Sequence, residues 1–120
     1  DDLVYVMTAG NAIAALEATT GKEVWKFSPP SDKTPITNRG INYWESKDRK
    51  QRRLIFANNH ILQALDARTG KLVEGFRVDL KEGLDRDPKL LTVVQSMSPG
   101  RVFEDLIIVG TATNQGYGSA

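Results

Sequence analysis

Apolar residues along this chain come in short runs separated by turn formers, and the runs return. Leu3–Thr8 and Ala12–Leu16 flank Ala9-Gly10-Asn11, and Glu23–Phe27 follows Thr20-Gly21-Lys22. Further on, Leu54–Ala57 and Ile61–Leu65 flank Asn58-Asn59-His60, and Leu72–Phe76 follows Thr69-Gly70-Lys71. Short β-rich runs bounded by Gly and Asn predict strands joined by hairpins. Gly accepts the left-handed backbone a tight turn needs, and a preceding Thr bonds the turn amides. No run sustains helical spacing. Residues 84–91 hold at most one helical turn, which Pro88 interrupts.

The return is a repeat. At an offset of 49 residues and without a gap, Ala15 lies over Ala64, Leu16 over Leu65, Ala18 over Ala67 and Thr20-Gly21-Lys22 over Thr69-Gly70-Lys71. Val24 meets Val73, Phe27 meets Phe76, and Glu17 meets Asp66, so an acid is kept. Extended backwards, the overlay places Val6 over Ile55 and Met7 over Phe56. Units of roughly 40–50 residues with about four antiparallel strands are the signature of propeller blades. The expected fold is therefore all-β. The expected units are residues 3–52 and 53–104, with a third starting at 105–120 in "DLIIVGTA" (Asp105–Ala112). Each full unit shows three strands. The fourth strand of the first is expected in "RGINYWES" (Arg39–Ser46) or "RRLIFA" (Arg52–Ala57), depending on where the units are cut. At 120 residues the chain holds little more than two units, so it is expected to be one part of a larger propeller.

Composition narrows the chemistry. A net charge of +1 argues against a strongly charged partner. The absence of cysteine excludes disulfides and thiolate zinc sites. The one basic cluster, Lys47–Arg53, lies between two predicted strands and is broken by Asp48, so it reads as a solvated hairpin tip. His60 is the only histidine and sits in a turn, which makes neither a metal site nor a catalytic triad. No apolar run is long enough to cross a bilayer.

Several segments resemble the quinoprotein dehydrogenases, enzymes that use pyrroloquinoline quinone. "AALEATTGKEVW" (Ala14–Trp25) resembles their tryptophan-docking motif, with Glu17 where the usual form has Asp. The second copy, Ala64–Glu74, keeps Asp66 but has Glu74 in place of the Trp. "NRGINYW" (Asn38–Trp44) resembles their Asn-Arg-Gly segment, and Ser96–Ala120 resembles their Ser-Pro, strand and Gly-rich loop. The resemblance covers essentially the whole chain. It implies an eight-bladed propeller with the quinone and a calcium ion near its axis, of which this chain is an early part. It also implies a periplasmic enzyme that oxidises an alcohol, polyol or aldose sugar and passes electrons to ubiquinone or a cytochrome. No nucleic-acid partner is implied, and any membrane association would come through parts outside these residues.

The resemblance also assigns roles. Arg39 is the residue expected to bind a carboxylate of the quinone; a guanidinium fork suits that partner and keeps its charge. Read locally, Arg39 is an exposed loop cation after Pro35. Ser96 is expected to donate its hydroxyl to the quinone; read locally it is an ordinary strand serine. Asn114 and Gln115 are expected near the quinone and as oxygen ligands to calcium. Both are neutral, whereas calcium affinity follows ligand charge, and a polar Gly-rich loop is the plain reading. Trp25 reads as core or inter-blade packing, and Tyr43 and Trp44 as alternating strand positions that pack. The family's catalytic aspartate belongs to a later blade, so no catalytic residue is assigned here. The paired cysteines common before Asn-Arg-Gly in the alcohol-oxidising branch are replaced by "SPPSDKTPIT", which points towards the glucose, polyol or uncharacterised branches. The alternative is a cofactor-free propeller that binds proteins as a scaffold.

Overall fold

The computed structural model describes residues 2–30, 36, 40–82 and 99–110, and the backbone alone at 94–95 and 112–113. All regular structure among them is β. Strands β1 (Leu3–Thr8), β2 (Ala12–Glu17) and β3 (Glu23–Phe27) form a three-stranded antiparallel meander. Strands β4 (Asn42–Glu45), β5 (Arg52–Asn58), β6 (Ile61–Asp66) and β7 (Leu72–Asp79) form a four-stranded one in chain order. A hairpin of β9 (Arg101–Phe103) and β10 (Leu106–Ile108) follows, and β8 (Val94–Gln95) pairs with β11 (Ala112–Thr113). No helix among the described residues is long and apolar enough to cross a membrane.

The predicted strands are present, and the strand over Asn42–Glu45 settles to the second sheet. Trp44 pairs with Arg53 and Tyr43 with Leu54, so "NYWE" and "RRLIFA" are neighbours in one sheet, and neither completes the first. The stretch around Asp105 forms the turn of a hairpin between β9 and β10.

The gap-free overlay slips by one residue across the first turn. Met7 pairs with Ile13, whereas Ala57 pairs with Leu62. Met7 is thus equivalent to Ala57 rather than Phe56, and Val6 to Phe56 rather than Ile55. The cause is turn length. Three residues, Ala9 to Asn11, join β1 to β2, while Asn59 and His60 alone join β5 to β6. A one-residue slip in a strand exchanges its two faces, so the correction decides which side chains meet.

The core lies between the two sheets. Ile13 of β2 faces Leu54, Phe56, Leu65 and Ala67 of the second unit. Tyr5, Met7, Trp25 and Phe27 close it from the first sheet, and Phe27 and Phe56 meet with ring centroids 5.6 Å apart. Each fully buried Phe, Leu or Ile stabilises by about 1.5–3 kcal/mol. Central β2 carries buried residues on both faces, Ala12 and Ala14 on one and Ile13 and Ala15 on the other.

Trp25 crosses to the second unit. Its indole N–H donates to the Ala67 carbonyl oxygen at 3.2 Å, and its ring covers Gly70, where a Cβ would lie 2.5 Å from the ring. The repeated turn builds this seat. The Gly70 amide donates to the Asp66 carbonyl and the Ala67 amide to that of Arg52, and Gly21 and Ala18 do the same with Glu17 and Asp2. Asp66 Oδ1 also accepts from the Arg68 and Thr69 amides at 2.8 and 3.1 Å. Glu17, one methylene longer, instead takes the Thr20 hydroxyl.

Glu74 does not occupy Trp25's place. Leu65 pairs with Leu72 and Gln63 with Arg77, so β7 advances five residues while β6 advances two. In the first sheet the same stretch holds a single extra residue, between Leu16–Glu23 and Ala15–Trp25. The wider bulge leaves Glu74 exposed.

Candidate functional site

Two different ends of the sheets result. The Thr-Gly turns and the Ser46–Gln51 tip lie at one end. Residues 47–51 of the basic cluster are exposed there, as expected, but Arg52 and Arg53 are half-buried in β5 rather than at a solvated tip: Arg52 pairs with Glu45 at 3.2 Å, and Arg53 lies over the Trp44 ring at 5.3 Å. A cavity of about 860 Å³ opens at this end between the sheets, lined by Asp2, Tyr5, Glu17, Arg52 and Arg68. The opposite end carries the short turns after β1 and β5, the end of β3 and the start of β4; Arg39 belongs to the sequence between those two strands.

Arg39, Ser96, Asn114 and Gln115 lie outside the described residues, but the residues beside them are placed. Ile36 is buried, 4% exposed, and its backbone bridges to Asn58. Its amide donates to Asn11 Oδ1 at 2.8 Å. Gly40, next to Arg39, has φ +128°, a conformation open to glycine, and the position of a Cβ there lies 3.5 Å from the Pro99 ring. Two residues on, the Asn42 side-chain amide donates to the Pro99 carbonyl oxygen. Pro99 is three residues after Ser96. The fold therefore joins the segment that follows Arg39 to the segment that follows Ser96. Gln95 precedes Ser96 and Thr113 precedes Asn114, and these two belong to one strand pair: Gln95 faces Ala112, and Thr113 faces Val94.

His60 lies at the same end, with Nδ1 2.9 Å from Asp79 Oδ1. The Lys81 amide, and after it His60, hold the Asp79 carboxyl below the usual carboxylate range. The pair fastens the turn to the end of β7, beside the bond from the Leu80 amide to the His60 carbonyl. Among the described residues no three His, Cys, Asp or Glu side chains cluster as a metal site.

Tyr43 and Trp44 take opposite faces, as strand alternation requires. Tyr43 is not the core residue expected: it is 44% exposed and stacks on Tyr5 of the first sheet at 6.1 Å. Trp44 donates its indole N–H to the Glu104 carbonyl in the third hairpin at 3.0 Å. Sequence reasoning missed Asn11 and Asn42. Asn11 registered only as a turn residue, and Asn42 only as a letter of "NRGINYW".

The stacked antiparallel sheets, each sending a tryptophan to the next unit, are the arrangement of neighbouring blades in a β-propeller. The sequence profile of the glucose/ethanol/alcohol dehydrogenase β-propeller domain, a PQQ domain, matches residues 1–120. The chain belongs to this family. It is 33% identical over 89 residues to the quinoprotein glucose dehydrogenase of Escherichia coli K12, an alignment covering 62% of this chain and 11% of that protein. It is 30% identical over 117 residues to the quinohemoprotein alcohol dehydrogenase of Comamonas testosteroni, covering 92% of this chain and 15% of that protein. The dehydrogenase subunit of an alcohol dehydrogenase (quinone) from Gluconacetobacter polyoxogenes is 36% identical over 81 residues, 61% of this chain and 10% of that one. The chain thus spans between a tenth and a sixth of the length of these relatives. No solved structure matches it significantly.

Proposed function

We propose that the protein containing this chain is a pyrroloquinoline quinone-dependent dehydrogenase of an alcohol, polyol or aldose, and that this chain forms part of the quinone's wall. The observation that carries the proposal is the meeting of Gly40 and Asn42 with Pro99. It ties together the two segments whose undescribed neighbours, Arg39 and Ser96, have the chemistry to hold an anionic quinone.

The donor set fits that group. Arg39 would hold a carboxylate through a charge-assisted fork, Ser96 would donate a hydroxyl hydrogen bond, and Gly40 leaves no side chain to obstruct them. When bound, the quinone supplies the hydride acceptor. This chain's residues would bind and orient it. The base that takes the substrate's hydroxyl proton is assigned to no residue here. Asn114 and Gln115 would offer amide oxygens to calcium. They bring no charge, so calcium affinity in this protein is expected to fall below that of a site with a carboxylate in the same loop. A periplasmic location and electron transfer to ubiquinone or a cytochrome belong to the same proposal.

The test is titration of pyrroloquinoline quinone onto the complete protein, with and without calcium, beside the Arg39→Ala variant. Saturable binding weakened at least tenfold by the substitution, about 1.4 kcal/mol, is the expected result. No binding by the folded complete protein would overturn the proposal in favour of a cofactor-free scaffold.

A further inference from the structure

We propose that the open edge of β1 is a docking site for a strand of the complete protein, supplied by the residues that precede Asp1. The described part of the first sheet has three strands and that of the second four, and β1 is an edge of the first. The repeat identifies the occupant of that edge. Leu3 pairs with Glu17 as Arg53 pairs with Asp66. The Ala18 amide donates to the Asp2 carbonyl as the Ala67 amide does to that of Arg52. Leu3 is thus the counterpart of Arg53. On its other side Arg53 is met by Trp44 of β4, nine positions earlier in the chain. Among the described residues nothing meets Leu3 on that side. The chain spans between a tenth and a sixth of its relatives' length, so a protein of their size has ample sequence for the strand.

The chemistry of the edge is independent of the repeat and agrees with it. An open strand edge invites pairing with other chains, and proteins guard such edges with charges, prolines or bulges. The other edges of the two sheets are guarded. β3 carries Glu23 and Lys26, β7 carries Glu74, Arg77 and Asp79, and both pair with a register shift. β4 carries Glu45. β1 reads Leu-Val-Tyr-Val-Met-Thr, with no charge and no proline, and its register with β2 runs unbroken from Leu3 to Thr8. The space beside it suits a strand as well. Leu3 and Tyr5 line the cavity of about 860 Å³, opposite Arg52 and Arg68. β4 lies against β9, and Trp44 reaches the Glu104 carbonyl there. A strand on β1 would lie against β4 in the same way. Its residue opposite Leu3 would face the cavity, and Tyr43, exposed beside Tyr5, would be covered.

The test uses the complete protein. In an edge strand only every second amide points to its neighbour, so alternate amides exchange freely, whereas a strand flanked on both sides is protected throughout. Amides of Leu3–Thr8 should be protected without a break, as those of Arg52–Asn58 are expected to be between β4 and β6. Alternate exchange in β1 beside a fully protected β5 would overturn the proposal. Leu3→p-benzoylphenylalanine then identifies the occupant. Irradiation should link position 3 to a residue of the same chain roughly nine positions before it, the spacing of Trp44 and Arg53. Should that variant not fold, the same probe at the exposed Asp2 reads the same neighbour. A link to a distant segment, a link to a second copy of the protein, or no link from either position would overturn the assignment. None of these outcomes depends on the quinone, so the function proposed above stands or falls separately.

Discussion

The two Thr-Gly turns contain the same glycine in different surroundings. Gly21 and Gly70 have φ +73° and +72°, but nothing lies within 4 Å of a Cβ at Gly21, whereas a Cβ at Gly70 would enter the Trp25 ring. Gly21→Ala should therefore lose only about 1 kcal/mol, the strain of a side chain in the left-handed region. Gly70→Ala should lose about 3 kcal/mol, because the indole must also leave its seat on the Ala67 carbonyl. Chemical denaturation of both variants checks the difference. Tyr43 gives a pH prediction at the same scale. Burial, and then its hydrogen bond to Glu45 at 2.7 Å, push its hydroxyl up to about 12 from an ordinary 10.0. The folded state thus keeps this proton where the unfolded chain has lost it. The stability it confers is complete below pH 10 and is lost as pH rises towards about 12. Tyr43→Phe should flatten the alkaline fall of the denaturation midpoint in that window. It should not remove the fall, since burial raises Tyr5 as well.

Between neighbouring sheets, the two junctions use tryptophans from different strands. Trp25 on β3 joins the first sheet to the second, and Trp44 on β4 joins the second to the third hairpin. The wide bulge in β7 takes Glu74 out of the register of Trp25 and leaves it exposed. Trp44→Phe should lose about 1 kcal/mol through the missing hydrogen bond to Glu104, while Glu74→Ala should stay within about 0.5 kcal/mol. Thermal melts of the two variants compare them. The strands were legible in the sequence because alternation, turn glycines and an exact Thr-Gly-Lys repeat reinforced one another. Register was less legible. Val6-Met7 and Ile55-Phe56 match well as letters, yet a one-residue difference in turn length moves the true partners to Phe56 and Ala57. The bulge in β7 was not legible either, because it depends on which β6 residue each residue meets. Of the site, the residue types that suit an anion were readable as types, since charge and hydroxyl chemistry are local. The contact between Gly40 and Pro99, and the reach of Asn11 to Ile36, join distant parts of the chain and leave no pattern in either.

Across the whole molecule, the third hairpin is apolar on one face and largely apolar on the other, which also carries Arg101. Val102 and Ile107 point to the second sheet, where they share a gap with Trp44, Ile55 and Phe76. Phe103, Leu106 and Ile108, on the other face, are 63, 67 and 66% exposed. Central β2 of the first sheet carries apolar residues on both faces as well. Apart from Arg101, the cross-strand partner of Ile108, the exposed face of the hairpin has the composition of an inner face, and in a β-propeller domain the expected cover is a further sheet. Ile108→Lys separates that expectation from an ordinary surface. In the complete protein, a lysine pressed between sheets should destabilise by more than about 2 kcal/mol, since an ammonium would be desolvated without a partner. In the isolated 120 residues the same substitution should do the opposite, breaking an open apolar patch beside unpaired strand edges and so lowering self-association. Denaturation of the complete protein and light scattering of the isolated chain read the two effects. Opposite signs would establish that the face is internal to the propeller. A neutral effect in the complete protein would establish that it faces solvent.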